Sequence, residues 1–498
     1  MYKYFIVLLK VLVFAVFIAG CSAVGPDYER PETVKPADWK YKDSVTISDS
    51  TAMAVADTSW WKLFGDTTLN NLITTGLKEN TNIKLAAARV EQYMAYYGVS
   101  RAALYPEVNL NGSSTTGQFS STNTGTDKNP TKSVFNLNIS VGWELDLWGK
   151  IRRTNESARA DLLASEESRQ SMVLLITSQI ASSYIDILTL RRQLEITKYT
   201  AEIREYAMML FRLMMLFRLR FDKGEISNIQ VSQLESEYWT AMSQIPYYEN
   251  LIAQAENNLN LLIGKNPDVI PKGNVIDSLS IPKIPSGLPS KLLERRPDIR
   301  NAEQLLISAN ANIGAVKALY YPTISLSGVL GIASNDLTTI LDPAALVWNL
   351  GGNIAAPLFN AGKISSKVKV SEAQKKQALF TYINAVRSAF RDVENALVNR
   401  SKTESQLYMQ GKVVDSYLVY SKLSKMNFDE GVSSYIEVLD AERSLFSSQL
   451  QYVSTQGKLL KSYIDLYSAF AGGWVTKASQ DAAMPEDNAE IKEVIQNK

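Results

Sequence analysis

The residues that could perform catalytic or metal chemistry are few in this sequence. Its 498 residues include no histidine and a single cysteine, Cys21. These counts exclude a Ser-His-Asp or Cys-His nucleophile, a His-ligated zinc site and an internal disulfide. We also find no GxxxxGK phosphate loop and no GxSxG motif. An enzyme that uses carboxylates alone is formally possible, but we expect neither catalysis nor a metal or cofactor.

Cys21 follows a segment that is typical of an export signal. An apolar run occupies residues 5–18, with Lys3 before it and Lys10 inside it, and Ala19 and Gly20 come directly before the cysteine. This arrangement looks like a lipobox, in which Cys21 becomes the lipidated first residue of the mature chain. Ser22 in the next position resembles lipoproteins that are sorted to the outer membrane. The alternative is an ordinary signal peptide with an incidental cysteine.

Charge balance and hydropathy narrow the class of protein further. Lys and Arg number 52 against 51 Asp and Glu, so no basic field favours nucleic acid. No stretch after the signal reaches the roughly 18 unbroken apolar residues that a membrane helix needs. Because only helices and closed β-barrels satisfy backbone groups in lipid, any spanning part must be a β-barrel.

The chain contains one structural unit twice. FDKGEISNIQVSQLE at residues 221–235 matches FDEGVSSYIEVLDAE at 428–442, and ALYP at 103–106 matches LYYP at 319–322. Each unit reads as a helix, two strands, a very long helix, a tight turn and a helix.

A period of two marks the strands. Apolar and polar residues alternate over residues 135–147, and the partner strand begins after Pro106, with a polar loop at 117–132 between them. The second unit offers strands at about 323–332 and 345–358. Four strands cannot close a membrane barrel, whose smallest single-chain form has about eight, so a spanning barrel must be shared between chains. Two soluble hairpins packed on a core are the alternative.

A period of seven marks the long helices. The first covers Lys150–Arg220 and would reach roughly 105 Å, so it needs neighbours along its whole length, as in a barrel of helices. The second unit repeats it at Lys363–Asn427. The predicted core positions are Val173, Ile180, Ile187, Leu194, Ala201, Met208 and Met215 in the first helix, and Phe380, Ile383, Phe390, Val393 and Leu397 in the second.

Six segments between Cys21 and Trp474 resemble, in order, the TolC-type outer membrane factors. The similarity is greatest to the lipoprotein branch that works with resistance-nodulation-division pumps. The segments are CSAVGPDYERP, WWKLFGD, LLERRPDIRNAE, NIGAVKALYYPTISLSG, APLFNAGK and GGW.

The resemblance implies a mainly helical fold with some β structure. It predicts a TolC-like homotrimer, with a twelve-helix periplasmic tunnel continuous with a twelve-stranded outer-membrane β-barrel and four strands per chain. The function implied is a passive, lipid-anchored exit duct for drugs or other small molecules. The partners implied are a periplasmic adaptor (membrane fusion protein), an inner-membrane pump of the resistance-nodulation-division type and outer-membrane lipid.

The expected segments follow from the repeat and the resemblance together. They are a signal peptide at 1–20, a lipidated extended segment at 21–59, a first repeat at 60–265, an equatorial linker at 266–290, a second repeat at 291–474 and a tail at 475–498.

Members of the family narrow their closed tunnel with acidic residues just beyond the second periplasmic turn. The matching stretch IEVLDAE places Glu437 and Asp440 on one helix face, and a trimer would make a ring of six carboxylates. A solvated acidic face is the alternative. Some members also lock the gate with an aromatic hydroxyl, an arginine and an aspartate. The corresponding positions here hold Phe428, Ser433 and Gln230, so something else must close this tunnel.

The two periplasmic turns are the candidates for adaptor contact. Each contains a glycine, which suits a helix end where the backbone becomes left-handed. Turn chemistry alone would also explain these glycines. The docking candidates are Lys223, Gly224, Glu225, Glu430, Gly431 and Val432.

Other functions share parts of this pattern. A type I protein-secretion duct has the same fold, but the lipobox and the GPDYERP start favour small-molecule efflux. A structural coiled-coil envelope lipoprotein without a pore would not need the alternating strands.

The hexapeptide MMLFRL occurs twice in succession, at Met208–Leu213 and Met214–Leu219. Its four methionines could bind Cu(I) through their thioethers, but the duplication explains them without metal. Six residues turn a helix by about 600°, so the face after the insert is about 120° out of phase. We expect the helix either to loop out here or to carry the first turn about 9 Å further down.

Deleting Met214–Leu219 should therefore preserve assembly and leave adaptor binding unharmed or improved. Native gel electrophoresis measures the trimer, and drug efflux from cells measures docking. Loss of either in the deletion variant would mean that the duplication is an adapted part of the protein.

Overall fold

The computed structural model describes residues 23–32, 39–40, 59–118, 131–221, 228–280, 295–471, 474–485, 491 and 493–494. Its helices are α1 Thr67–Glu79, α2 Thr81–Ala102, α3 Lys150–Phe221, α4 Asn228–Leu262, α5 Pro297–Lys317, α6 Lys363–Asp429, α7 Tyr435–Phe470 and α8 Trp474–Asp481. Its strands are β1 Glu107–Gln118, β2 Thr131–Leu145, β3 Thr323–Ser334 and β4 Leu346–Ala355.

The two halves of the chain repeat the same order of elements. The series α2, β1, β2, α3, α4 corresponds to α5, β3, β4, α6, α7. The four strands form one antiparallel sheet in the order β1-β2-β3-β4. Helices α3 and α4 pack as a first hairpin, and α6 and α7 pack as a second. The predicted mainly helical fold with four strands is confirmed.

The polar loop predicted at 117–132 is shorter than expected at both ends. Strand β1 continues to Gln118, which pairs with Thr131 at the start of β2. Polar composition misled the prediction here, because the strand ends are exposed and need no apolar residues to pair.

Helix α3 supplies a long row of core residues. Leu194 and Met208 of the predicted row are half-buried, and the side chain of Met215 lies outside the described part. The buried members of the row are Val173, Ile180, Ile187 and Ala201.

The row predicted on α6 is partly wrong. Val393 and Leu397 are buried as expected, and Ile383 and Phe390 are half-buried. Phe380, however, is 67% exposed. The next buried residue, Tyr382, follows two positions later, and two residues turn a helix by about 200°. The side chain of Phe380 therefore points to the opposite side of α6. The buried row of α6 consists of Tyr382, Val386, Ala389 and Val393.

Helix α3 runs without a break from Lys150 to Phe221, so the loop considered at the duplication is wrong. Met, Leu and Arg are good helix formers, and the duplicated residues continue the helix. The resulting helix has 72 residues, against 67 in α6. By length and composition Lys150–Leu213 could also cross a membrane, but 56% of its most apolar window is buried inside the protein, as in a core helix.

Asp66 ties the start of α1 to the middle of α3. Its carboxylate accepts hydrogen bonds from the backbone N–H groups of Thr68 at 2.7 Å and Leu69 at 3.2 Å, which caps the helix. It also accepts the Tyr184 hydroxyl at 2.7 Å and the N–H of Asn274 at 3.0 Å. Burial, reinforced by this hydrogen bond, raises the pKa of Tyr184. The side chain therefore joins α1, α3 and the segment before residue 280.

Aromatic rings fill the core beside this carboxylate. The 3-10 turn Trp60–Phe64 places Trp60 in a stack with Tyr467 of α7, with ring centroids 5.7 Å apart. Trp474, the first residue of α8, meets the edge of the same ring at 5.9 Å. All three rings are buried, so the turn before α1, helix α7 and the start of α8 are anchored in one cluster.

Replacing Asp66 by alanine should destabilise the protein by about 3 kcal/mol. The change removes a helix cap, at about 1 kcal/mol, and leaves the buried Tyr184 hydroxyl and Asn274 N–H without their acceptor. The midpoint of thermal unfolding measures the effect. Asp336→Ala is the matched control, because Asp336 caps an exposed turn and should change the midpoint little. Equal midpoints for the two variants would contradict the role given to Asp66.

Candidate functional site

The sheet has one apolar face. Because antiparallel partners lie on the same face, Leu110, Ile139, Leu330 and Trp348 form a row across all four strands. Every side chain in the row is exposed, Trp348 by 71%. The strands have 10 to 15 residues, enough for a bilayer crossing of about 9 to 11. The other exposed apolar side chains of this face are Val108, Leu137, Val141, Trp143, Leu326, Leu346, Leu350 and Ile354.

The opposite face of the sheet is mostly polar, and its charged residues Glu107, Lys132 and Glu144 lie near the strand ends. Its side chains bond across strands: Asn111 Nδ2 donates to Ser140 Oγ at 2.8 Å, and Asn136 Nδ2 donates to Ser113 Oγ at 3.4 Å. Such a surface can line water. The main members of this face are Asn109, Asn111, Ser113, Asn136, Asn138, Ser140, Ser325, Ser327, Asn349 and Asn353.

Residues 23–32, here called the strap, contact both repeats. In the sequence the strap follows Cys21, which is outside the described residues. The N–H of Val24 donates to the carbonyl of Trp148 at 3.0 Å, where β2 leads into α3. Gly25 has φ +109°, and a Cβ on it would come within 2.4 Å of Gly314 Cα. The glycine of the GPDYERP motif is therefore explained by close backbone contact with α5.

Charged and amide groups hold the rest of the strap. On α3, Arg153 donates to the Asp27 carboxylate at 2.6 Å. On α5, Glu303 accepts hydrogen bonds from the Tyr28 hydroxyl at 3.1 Å and from the Arg30 guanidinium at 2.6 Å. Glu303 is 7% exposed and so is shielded from water, whereas the side chain of Arg30 is 51% exposed. The strap thus fastens the first repeat to the second.

The turn of the second hairpin is exposed and tightly built. Gly431 has φ +73° and donates to the carbonyl of Phe428 at 2.9 Å, while Val432 donates to the carbonyl of Asn427 at 2.8 Å. These two bonds make a Schellman motif, which satisfies the last carbonyls of α6. Glu430, Gly431 and Val432 all face solvent. The corresponding candidates of the first hairpin, Lys223, Gly224 and Glu225, lie outside the described residues.

Glu437 and Asp440 are both exposed on the first turns of α7. The helix is capped by Ser434, whose Oγ accepts the N–H of Ile436 at 3.3 Å. The carboxylate of Asp440 accepts a hydrogen bond from Arg443 at 2.8 Å, which partly neutralises its charge. Within the described chain Glu437 has no ion pair, and no cluster of His, Cys, Asp or Glu is arranged to hold a metal ion.

A buried arginine joins the two hairpins above the turns. The side chain of Arg204 on α3 is 3% exposed and donates to the Glu237 carbonyl on α4 at 2.7 Å. Its guanidinium lies 5.3 Å from the ring centroid of Phe446 on α7. Burial lowers the pKa of Arg204 and raises the pKa of Glu442. The positive charge of Arg204 opposes the rise in the pKa of Glu442.

Sequence reasoning missed Arg204 and Phe211, which also contacts the second hairpin. The signal was available in the heptads. The core row was read at intervals of seven through Ala201 and Met208, whereas a heptad has a second core position three residues later. Both missed residues occupy that second position.

The chain is similar to known proteins over nearly its whole length. The profile of the family described as outer membrane efflux protein matches residues 72–265 and 288–472. The solvent efflux pump outer membrane protein SrpC of Pseudomonas putida is 33% identical over 461 residues, which cover 92% of this chain and 96% of that protein. The cation efflux system protein CusC of Escherichia coli is 30% identical over 469 residues, with 93% and 99% covered.

Solved structures share the fold. A crystal structure of CusC has a TM-score of 0.80 and 28% identity, covering 91% of this chain and 100% of that chain. The open state of the MtrE outer membrane channel of Neisseria gonorrhoeae has a TM-score of 0.80 and 27% identity, covering 91% and 99%.

Exchanging Glu437 for glutamine should weaken block of the channel by multivalent cations. Its carboxylate is the less neutralised of the two gate candidates, so Asp440→Asn should have the smaller effect. Conductance in planar bilayers, titrated with a trivalent cation, measures both. Asp415→Asn, an exposed carboxylate higher on α6, is the control. Unchanged block in a variant that carries both Glu437→Gln and Asp440→Asn would show that the acidic ring lies elsewhere.

Proposed function

Because the chain belongs to the outer membrane efflux protein family and is an outer-membrane efflux channel, we propose that it works as a homotrimer in a tripartite pump. In this role it is the passive exit duct for small molecules. An inner-membrane pump supplies the energy, and a periplasmic adaptor connects that pump to the helical hairpins.

The observation that carries the trimer is the sheet. One whole face exposes apolar side chains, and β1 and β4 each leave one edge without a partner strand in the described chain. An exposed apolar face is unfavourable in water, and a strand edge with unpaired backbone groups is unfavourable in lipid. Strands β1 and β4 run in opposite directions, so β4 of one copy can continue the antiparallel order with β1 of the next. Three copies of the 4-stranded sheet give a closed barrel of twelve.

The apolar face then meets lipid, and the polar face lines the duct. The turn Glu430–Val432, together with Lys223–Glu225 in the first hairpin, forms the end that contacts the adaptor. Exposure of Glu430–Val432 and its rigid Schellman geometry support this role. The pump partner is of the resistance-nodulation-division class, as the sequence resemblance implies.

Cys21 carries the lipid anchor in this proposal. The position of the strap supports it, because a Cβ on Gly149 would come within 2.5 Å of the Cβ of Ala23, two residues from the cysteine. Gly149 lies between β2 and α3, at the end of the sheet from which the helices extend. The acyl chains therefore enter the periplasmic leaflet of the outer membrane. Mass spectrometry of the N-terminal peptide tests for the lipid.

Cysteine cross-linking between edge strands tests the shared barrel. Asn111→Cys on β1 is combined in turn with cysteine at Asn349, Gly351 or Asn353 on β4, all on the polar face. One combination should give covalent trimers on oxidation, since β1 and β4 of neighbouring chains are paired. Cys21 would not react, because its sulfur is bonded to the lipid.

The matched control moves the first cysteine to Asn138 on the inner strand β2, where no cross-link should form. Absence of covalent trimers in every β1–β4 combination would contradict the trimeric barrel. Export of a test protein rather than small molecules by cells carrying the chain would favour the type I secretion duct instead.

A further inference from the structure

The lower ends of the two hairpins meet in a small apolar cluster of their own. It is separate from the main core around α3 and α7. It draws on all four helices of the hairpins. Its buried members are Phe211 of α3, Leu234 of α4, and Tyr435, Val438 and Leu439 of α7, with Phe428 of α6 packed against them.

Three aromatic rings make the contact between the hairpins within this cluster. The ring centroid of Phe211 is 4.3 Å from that of Tyr435 and 5.9 Å from that of Phe428. Phe428 and Tyr435 are 4.9 Å apart in an edge-on arrangement. Phe211 belongs to the first hairpin and the other two rings belong to the second, so the rings join the hairpins at the level of the second turn. Phe211 and Tyr435 are 5% and 6% exposed.

The next contact of this kind lies one heptad higher and is polar. There Arg204 reaches across from α3 to Glu237 of α4 and to the ring of Phe446 on α7. A buried charge with mixed partners contributes less than well-packed rings, because it must be stripped of water. The ends of the hairpins can therefore separate by losing the ring contacts without disturbing the main core.

We propose that Phe211, Phe428 and Tyr435 form an aromatic latch that keeps the channel closed by holding the second hairpin against the first. This inference rests on the proposed function as a duct. The latch would replace the ionic lock of some family members, since Phe428, Ser433 and Gln230 stand at the corresponding positions and carry no charge here. Phe428 occupies one of those positions and contributes a packing surface instead of a hydroxyl.

Phe211→Ala tests the latch in the full-length protein reconstituted in planar bilayers. Loss of two ring contacts should raise the open fraction of the channel about tenfold. The increase should be the same at about 0.1 M and about 1 M KCl, because ring contacts are not screened, whereas an ionic lock would weaken with salt. Met209→Ala is the matched control, from the same hexapeptide but 62% exposed, and should behave as the unaltered protein.

A second variant keeps the test decisive if Phe211→Ala assembles poorly. Phe211→Cys with Tyr435→Cys adds the only thiols besides Cys21. Joining them with a short thiol cross-linker should hold the open fraction at its resting value, and the same protein without the linker should open more. Assembled Phe211→Ala with an unchanged open fraction, or a cross-linked protein that opens freely, would overturn the latch. Failure of the unaltered protein to form any pore would overturn the duct itself.

Discussion

The sheet is the constraint on which the rest of this protein depends. Its row of Leu110, Ile139, Leu330 and Trp348 is exposed, and nothing in the described chain covers it. Burying such a face yields about 25 cal/mol per Å², so its placement decides where the molecule can exist. A single chain cannot also pair both sheet edges. In the proposed trimer these two deficits are removed together, one by lipid and one by neighbouring chains.

The helices, unlike the sheet, bury their rows of apolar residues within the described chain. Their buried rows face one another, and the strap and the Asp66 carboxylate fasten them at two levels. The strap joins α3 to α5 next to the sheet. Asp66 joins α1, α3 and the segment around Asn274 further along the helices. Both attachments are hydrogen bonds to charged groups, which are stronger than neutral ones. The part of the helices near the sheet is therefore rigid, and freedom to move is left to the hairpin ends.

The sequence predicted the elements well because their signals are periodic and long. The strands were placed within a few residues, and Lys150 and Lys363 begin their helices as expected. Contacts between elements were predicted poorly. The carboxylate of Asp66 and the hydroxyl of Tyr184 are 118 residues apart in the chain, and no local pattern links them. Phe380 was assigned to the wrong face because an apolar residue near a heptad row was counted as part of it.

At the candidate gate, too, the sequence identified residues but not their contacts. Glu437 and Asp440 could be named from their motif, since a motif fixes residues on one helix. The hydrogen bond from Arg443 partly neutralises Asp440 and leaves Glu437 as the stronger of the two negative charges. This bond depends on side-chain rotamers, which a motif does not specify. Arg204 and Phe211 contact helices far along the chain, so only the folded structure shows their partners.

The duplication is tolerated because of where it falls relative to these contacts. The buried row of α3 passes from Ala201 through Arg204 to Phe211 in constant heptad phase. Phe211 lies in the first copy of MMLFRL, so every inter-hairpin contact up to the latch comes before the second copy begins. The rotation of about 120° that six residues impose is therefore confined to the helix beyond Leu213. There α3 has passed the level of the second turn, since Phe211 already packs beside Phe428 and Tyr435. An insertion of the same length above Ala201 would instead have rotated Arg204 and Phe211 out of the interface between the hairpins.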